Sequence, residues 1–149
     1  MDFTPAIVAF CCENSAYRAA DLAGTKQEGY PSNVKICRLP CSGKLEIIHI
    51  LKAFEEGADG VFVFACHPDS CKFLLGNVRA GKRIDHTNTI LEKIGIKKER
   101  LRFFYVSELE WTTFLDLVRE GNESIKSLGP SPVKVRSTVI PAKAGIQKK

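Results

Sequence analysis

Four short apolar runs recur along this chain: Ile7-Val-Ala-Phe-Cys-Cys12, Val34 to Leu39, Gly60-Val-Phe-Val-Phe-Ala-Cys66 and Leu101 to Val106. Each is followed by a stretch with helical spacing, and this alternation constrains the fold more than any other feature. Runs in which apolar residues predominate, unbroken in the first and third, mark strands buried on both faces, which is the situation of a parallel sheet covered by helices. Strand, helix and next strand then form right-handed crossover units.

The intervening helices are legible from caps and periodicity. Asn14 to about Lys26 is alanine-rich, with Asn14 placed to cap it. From Ser42 to Glu56, Leu45, Ile48, Leu51 and Phe54 recur at three-residue steps, and Gly57 is a C-terminal stop. Cys71 to Gly81 reads as a loop or short helix, after which Ile84, Ile90, Leu91 and Ile94 outline a helix ending at Gly95. Trp111, Phe114, Leu115 and Val118 fall at i, i+3, i+4 and i+7 of a closing helix that ends near Ser127. The expected fold is a single-domain α/β unit of Rossmann-like or flavodoxin-like plan. It has a four-stranded parallel sheet in the order 2-1-3-4 and helices on both faces. Residues 1–129 make the body, and at 149 residues with 44% hydrophobic content the chain can bury a core without staples. Residues 130–149 hold three prolines and no helical period, and are expected to be a disordered basic tail.

Charge narrows the function classes. The chain carries 22 bases and 17 acids, but five of the bases lie after Val133 with no acid among them. The body is therefore balanced at 17 of each, which argues against nucleic acid as a partner. Arg79, Lys82, Arg83, Lys93, Lys97, Lys98, Arg100 and Arg102 crowd one stretch and read as a solvated face. No run of about 18 apolar residues exists, and the start lacks a basic segment followed by an apolar one. The expectation is a cytoplasmic protein with no membrane contact.

In a reducing compartment six cysteines do not make a disulfide framework; clustered ones bind metal or do redox chemistry. Cys12, Cys41 and Cys66 each stand at or just past the end of an apolar run, and Cys71 follows five residues after Cys66. Carboxyl ends of parallel strands share one edge of the sheet, so the fold gathers these thiols where such sheets bind ligands. Pro40, Ser42, Gly43, Pro68 and Asp69 around them are turn formers rather than core residues. Cys11 and Cys37 fall mid-strand or on the opposite face and are expected in the core. His67 adjoins Cys66 and is open to two roles, as a ligand or as the residue that orients the loop. His49 and His86 have no partner at metal spacing, and Tyr17 and Trp111 read as packing residues. The C-x4-C spacing of Cys66 and Cys71 matches neither a zinc ribbon nor a thioredoxin motif, and no phosphate-binding glycine loop or serine-hydrolase elbow is present.

A set of blocks then carries a resemblance: Cys12 with Tyr17-Arg-Ala-Ala-Asp-Leu-Ala-Gly24, Tyr30-Pro-Ser-Asn-Val-Lys35, Cys41-Ser-Gly-Lys44, Lys52-Ala-Phe-Glu-Glu-Gly-Ala-Asp-Gly-Val61, Cys66-His-Pro-Asp-Ser-Cys71 and Gly76-Asn77. Together they resemble the delta subunit family of methyl-viologen-reducing hydrogenase, over about residues 7 to 120. The resemblance implies a non-catalytic iron-sulfur subunit carrying a 2Fe-2S cluster. It also implies transfer of electrons between a hydrogenase or formate dehydrogenase and a flavoprotein of the heterodisulfide reductase A type. The family writes its first block Cys-x-x-Cys-x-Tyr, which falls on Cys12, Ser15 and Tyr17, so the second thiol is a serine here. The other family cysteines fall on Cys41, Cys66 and Cys71. Four thiols complete the shell of a 2Fe-2S cluster, with Ser15 and His67 beside it; an oxygen ligand from Ser15, or replacement by Cys11, are the other arrangements. Two readings of different class stand beside the electron carrier. One is a thiol-redox enzyme built on Cys12 and Ser15 at a helix N-terminus, and the other is a zinc-stabilised interaction module.

Overall fold

The computed structural model describes residues 3–26, 31–67 and 76–132. Along the chain these form β1 (Ile7–Cys12), α1 (Ala16–Thr25), β2 (Val34–Leu39), a 3-10 turn at Ser42–Lys44 and α2 (Ile47–Glu55). There follow β3 (Gly60–Ala65), α3 (Gly76–Lys93), a second 3-10 turn at Lys98–Arg100, β4 (Leu101–Tyr105) and α4 (Trp111–Leu128). The four strands make one sheet in the order β2-β1-β3-β4, all parallel, as the alternation predicts. The order follows from the crossovers: α1 carries the chain from β1 outward to β2, and α2 carries it back over β1 to β3. The chain's direction of progress therefore reverses between β1 and β3.

Side-chain alternation sorts the core into two layers. Phe62 and Phe64 of β3 point to the face covered by α1 and α4, where Ile7, Ala9, Cys11, Ala16, Ala19, Ala23, Phe114 and Val118 pack with them. Val61 and Val63 point to the other face, against Ile50 and Phe54 of α2 and Ile84 and Leu91 of α3. Both faces of β3 are buried throughout. The stripe Phe114, Leu115 and Val118 is buried as its spacing requires, while Trp111 and Tyr17 are half-buried packing residues.

Four local expectations are corrected. Asn14 does not cap α1: the N-cap is Ser15, and Asn14 instead donates through Nδ2 to the carbonyl of Pro40 at 3.3 Å. The helix expected from Ser42 to Glu56 is broken into the 3-10 turn and α2, whose entry is closed by a hydrogen bond from the Glu46 N–H to His49 Nδ1 at 3.0 Å. α3 is continuous from Gly76, so the helix begins earlier than the apolar positions suggest. Cys37 is half-buried rather than core, because β2 is the edge strand and has a neighbour on one side alone. Gly57 and Gly95, the expected stops, have φ of 113° and 90°, values that favour glycine.

The amino end of the sheet is closed by a buried polar cluster. Asp59 accepts from the Ala6 N–H at 2.8 Å through Oδ2 and from the Ser131 N–H at 2.9 Å through Oδ1. Arg100, which closes the second 3-10 turn, donates to the carbonyls of Asp59 (2.9 Å), Pro130 (3.2 Å) and Leu128 (3.5 Å). Burial lowers the Arg100 pKa, and the Asp59 charge opposes that shift. Contacts of the body thus run past Gly129 to Ser131. Among the described residues no helix is long and apolar enough to cross a membrane.

Candidate metal centre

Cys12 ends β1 and Cys66 follows β3 by one residue, and these strands are parallel neighbours in register from Ile7 opposite Gly60 to Cys11 opposite Phe64. Their sulfurs therefore meet at the carboxyl edge, with Sγ atoms 3.6 Å apart. A disulfide would need about 2.05 Å, whereas two thiolates on one tetrahedral metal with bonds of about 2.3 Å lie about 3.8 Å apart. At 3.6 Å the two free thiols are within hydrogen-bond reach of each other, and the spacing is close to that of two thiolates on one metal. Both side chains are shielded, at 1% and 4% exposure.

Cys41 stands just past β2, in extended conformation, and caps the turn Ser42–Lys44 by accepting the Gly43 N–H on Sγ at 3.4 Å. It is 3% exposed, and the turn it caps has Cα atoms within 8 Å of both β1 and β3. Two contacts hold this loop to the rest of the edge. Asn14 ties the loop after β1 to Pro40. Arg83 of α3 donates through Nη1 to the carbonyl of Gly43 and to that of Leu45, the latter at 2.9 Å. Arg83, expected on a solvated face, is half-buried and braces the loop that begins at Cys41. Arg100 likewise belongs to a buried cluster rather than to that face.

His67 points along the edge to α4. Its Nε2–H donates to Glu110 Oε1 at 2.7 Å, and its ring lies 6.2 Å from that of Tyr105 at an interplanar angle of 23°. The same carboxylate oxygen accepts the Ser107 N–H at 2.8 Å. The hydrogen bond from His67 first, and that from Ser107 second, hold the Glu110 carboxyl below its ordinary pKa. The arrangement fixes the loop after Cys66 against the loop after β4. Nothing in the sequence pattern marks Glu110, whose role exists through a contact 43 residues away.

Ser15 is 2% exposed, and its N–H donates to the Cys12 carbonyl at 3.1 Å. With Asn14, Cys66, His67, Ser107 and Glu108 it lines a cavity of about 230 Å³ at this edge. Cys11 faces away, into the α1–α4 layer, where burial and then the neighbouring Cys37 and Cys12 push its thiol up in pKa, leaving it protonated. Cys71 lies outside the described residues. Among the described residues no three or more His, Cys, Asp or Glu side chains converge as a metal site. The structure thus pairs Cys12 with Cys66 and sets the Cys41 turn at the adjoining strand end.

Taken together, fold and edge define a doubly covered parallel α/β domain with buried thiols at the point where strand order reverses, the place at which such sheets bind their ligands. The chain belongs to the family described as methyl-viologen-reducing hydrogenase, delta subunit, which matches residues 7–129, from β1 to the end of α4. It is 43% identical over 130 residues to the D-type iron-sulfur subunit of the F420-non-reducing hydrogenase vhu of Methanococcus maripaludis, covering 87% of this chain and 97% of that one. The protein of the same description from Methanocaldococcus jannaschii is 40% identical over 132 residues, 89% of this chain and 98% of that one. A segment of the A-type subunit of the ferredoxin:CoB-CoM heterodisulfide reductase of Methanosarcina mazei is 36% identical over 126 residues, which is 85% of this chain and 16% of that much longer one.

Proposed function

We propose that this protein is an electron-transfer subunit whose 2Fe-2S cluster is held by Cys12, Cys41, Cys66 and Cys71. The observation that carries the reading is the 3.6 Å separation of two shielded sulfurs at the ends of neighbouring parallel strands. That spacing suits two thiolates on one iron, and Cys41 and Cys71 supply the remaining pair. The names of the hydrogenase relatives, which call them iron-sulfur subunits, support the same cofactor class. Bound there, a 2Fe-2S cluster supplies a one-electron donor and acceptor. The protein's share is position and shielding. The Gly43 N–H donates to the Cys41 sulfur, and β1, β3 and their helices exclude water from the thiols. Arg83 and the His67–Glu110 pair keep the ligand loops from moving when charge changes.

The names of the relatives support a hydrogenase and a heterodisulfide reductase as partners, and the formate dehydrogenase and the flavin are part of the proposal itself. One side is a hydrogenase or formate dehydrogenase, and the other is a flavoprotein of the heterodisulfide reductase A type. A domain 36% identical to this one lies within a heterodisulfide reductase protein of that type, and a domain carried within a longer chain in one organism and as a separate chain in another is a natural docking pair. The carboxyl edge is the docking side, since electron transfer needs the cluster close to the partner's centre. Leu109, 75% exposed on the loop after β4, offers apolar surface at that edge. A thiol-redox enzyme fits less well, because reactive cysteines sit partly exposed, whereas Cys12 and its sulfur neighbour Cys66 are buried.

The test is anaerobic purification with absorption, iron and sulfide analysis. Brown protein with bands at about 400–500 nm and about two irons and two sulfides per chain is expected, with Cys66→Ala losing the iron. Colourless protein containing zinc, or no metal, would refute the cluster. A pull-down with the flavoprotein, followed by hydrogen-exchange mapping, should protect the loops after β1, β2, β3 and β4; protection confined to the Asp59 end would refute the docking side.

A further inference from the structure

Four buried side-chain nitrogen or oxygen atoms among the described residues lack a hydrogen-bond partner, and the two hydroxyls in that set are Ser15 Oγ and Ser42 Oγ. Both border the thiols. Ser15 is three residues after Cys12 and lines the cavity shared with Cys66, and Ser42 directly follows Cys41. They are 2% and 1% exposed, so water does not satisfy them from bulk solvent. Other hydroxyls in this structure do find partners: Thr87 Oγ1 donates to the Arg83 carbonyl at 2.6 Å and Thr25 Oγ1 to the Leu22 carbonyl at 2.7 Å. Ser15 also declines the partner its position offers. It is the N-cap of the ten-residue α1, yet its side chain makes no cap hydrogen bond, and its ψ of −85° is far from the extended backbone with which cap residues reach the first-turn amides.

Buried polar groups are paired in native proteins, and an orphan marks a partner that the protein atoms alone do not supply. A hydroxyl rotates freely about its C–O bond and can donate to any acceptor beside it. A neutral thiol is a weak acceptor, whereas an anionic, metal-bound sulfur accepts strongly. We infer that the Ser15 and Ser42 hydroxyls are hydrogen-bond donors to the sulfurs of the centre at Cys12, Cys41 and Cys66, and that they raise its reduction potential. The inference rests on the cluster reading above. A hydrogen bond to sulfur stabilises the reduced form, which carries one more negative charge, and so is among the levers that set the potential. It also gives the serine at position 15 a use that an oxygen ligand to iron would exclude.

The experiment is redox titration of the anaerobically purified chain, following visible absorbance, in wild type, Ser15→Ala, Ser42→Ala, the double variant, and Ser15→Thr and Ser42→Thr. Iron and sulfide content and thermal unfolding are measured on each. We expect every variant to keep wild-type iron. Each alanine variant should lower the reduced-to-oxidised ratio at fixed ambient potential roughly tenfold, a shift of about 59 mV downward for one electron. Threonine, which keeps the hydroxyl, should restore the wild-type value. Iron-replete alanine variants at the wild-type potential would overturn the inference while leaving the cluster in place. So would threonine variants shifted as far as alanine, since the effect would then be steric, and so would loss of iron from Ser15→Ala, which would make Ser15 a ligand. Wild-type protein without iron would overturn the cluster reading and this inference with it.

Discussion

Asp59 has both carboxylate oxygens committed at the buried amino end of the sheet, one to the Ala6 N–H and one to the Ser131 N–H. Asp59→Asn preserves shape but turns one of those acceptors into an NH2 group facing an N–H donor. Whichever way the amide flips, one backbone N–H and part of the new amide are left unpaired without solvent, at about 1–3 kcal/mol for a buried orphan. The substitution also removes the negative charge that supports Arg100, whose guanidinium is buried among carbonyls. Breaking one side of a buried charged cluster costs about 3–5 kcal/mol, and a neutral isostere that keeps one hydrogen bond should fall lower, at about 2–4 kcal/mol. Against a total stability of about 5–15 kcal/mol this is a large fraction. At roughly 3–5 °C per kcal/mol for a domain of this size, Tm should drop about 6–20 °C. The assay is denaturant and thermal unfolding followed by circular dichroism, together with iron content in the cold, which should be unchanged because the thiols lie at the opposite edge. A loss under about 1 kcal/mol would show that the cluster is not the clamp described, and loss of iron at full folding would show that the two edges are coupled.

Ending the chain after Pro132 should leave Tm unchanged, whereas ending it at Leu128 removes the Pro130 carbonyl and Ser131 N–H that Arg100 and Asp59 hold, and should lower Tm by several degrees; equal behaviour of the two truncations would refute this. Gly121→Ala gains about 1 kcal/mol of helix propensity, but the new Cβ would lie 2.6 Å from ring carbons of the fully buried Phe62. Overpacking at about 1–3 kcal/mol should win, so a more stable variant in urea unfolding would contradict the packing described. Arg83→Met removes the two carbonyl contacts that brace the Cys41 loop, and should speed iron loss to a chelator severalfold with little change in Tm; an unchanged rate would deny the brace a role. Glu110 has its pKa depressed from an ordinary 4.5, so its stabilising contribution is present above that pH and lost as pH falls through the depressed value. Glu110→Gln should therefore be less stable than wild type at pH 7 and converge with it as acid protonates Glu110, and a difference that stays constant through the whole acid titration would refute the assignment.

Local sequence determined the strands and their order. Four runs of β-branched and aromatic residues, separated by helical spacing, leave a right-handed parallel sheet as the consistent solution, and the thiols at the run ends then share an edge whatever the details. Strand alternation also placed Cys11 in the core, since it turns that side chain away from Cys12. What tertiary structure decided were the contacts between residues far apart in the chain, which no period encodes. The break between Ser42 and Ile47 is one such case: the apolar spacing runs on as if through one helix, but Arg83 from α3 takes the carbonyls of Gly43 and Leu45 and holds the turn open beside Cys41. Asn14 is another, drawn from the cap it could have made to the Pro40 carbonyl, and Cys37 a third, left half-buried by its edge position. The 3.6 Å between Cys12 and Cys66, and the burial of Ser15 and Ser42 beside them, likewise come from the register of β1 on β3 and from the packing of the loops above it. Periodicity reports which face of an element is buried, but distance between side chains is set by how whole elements pack.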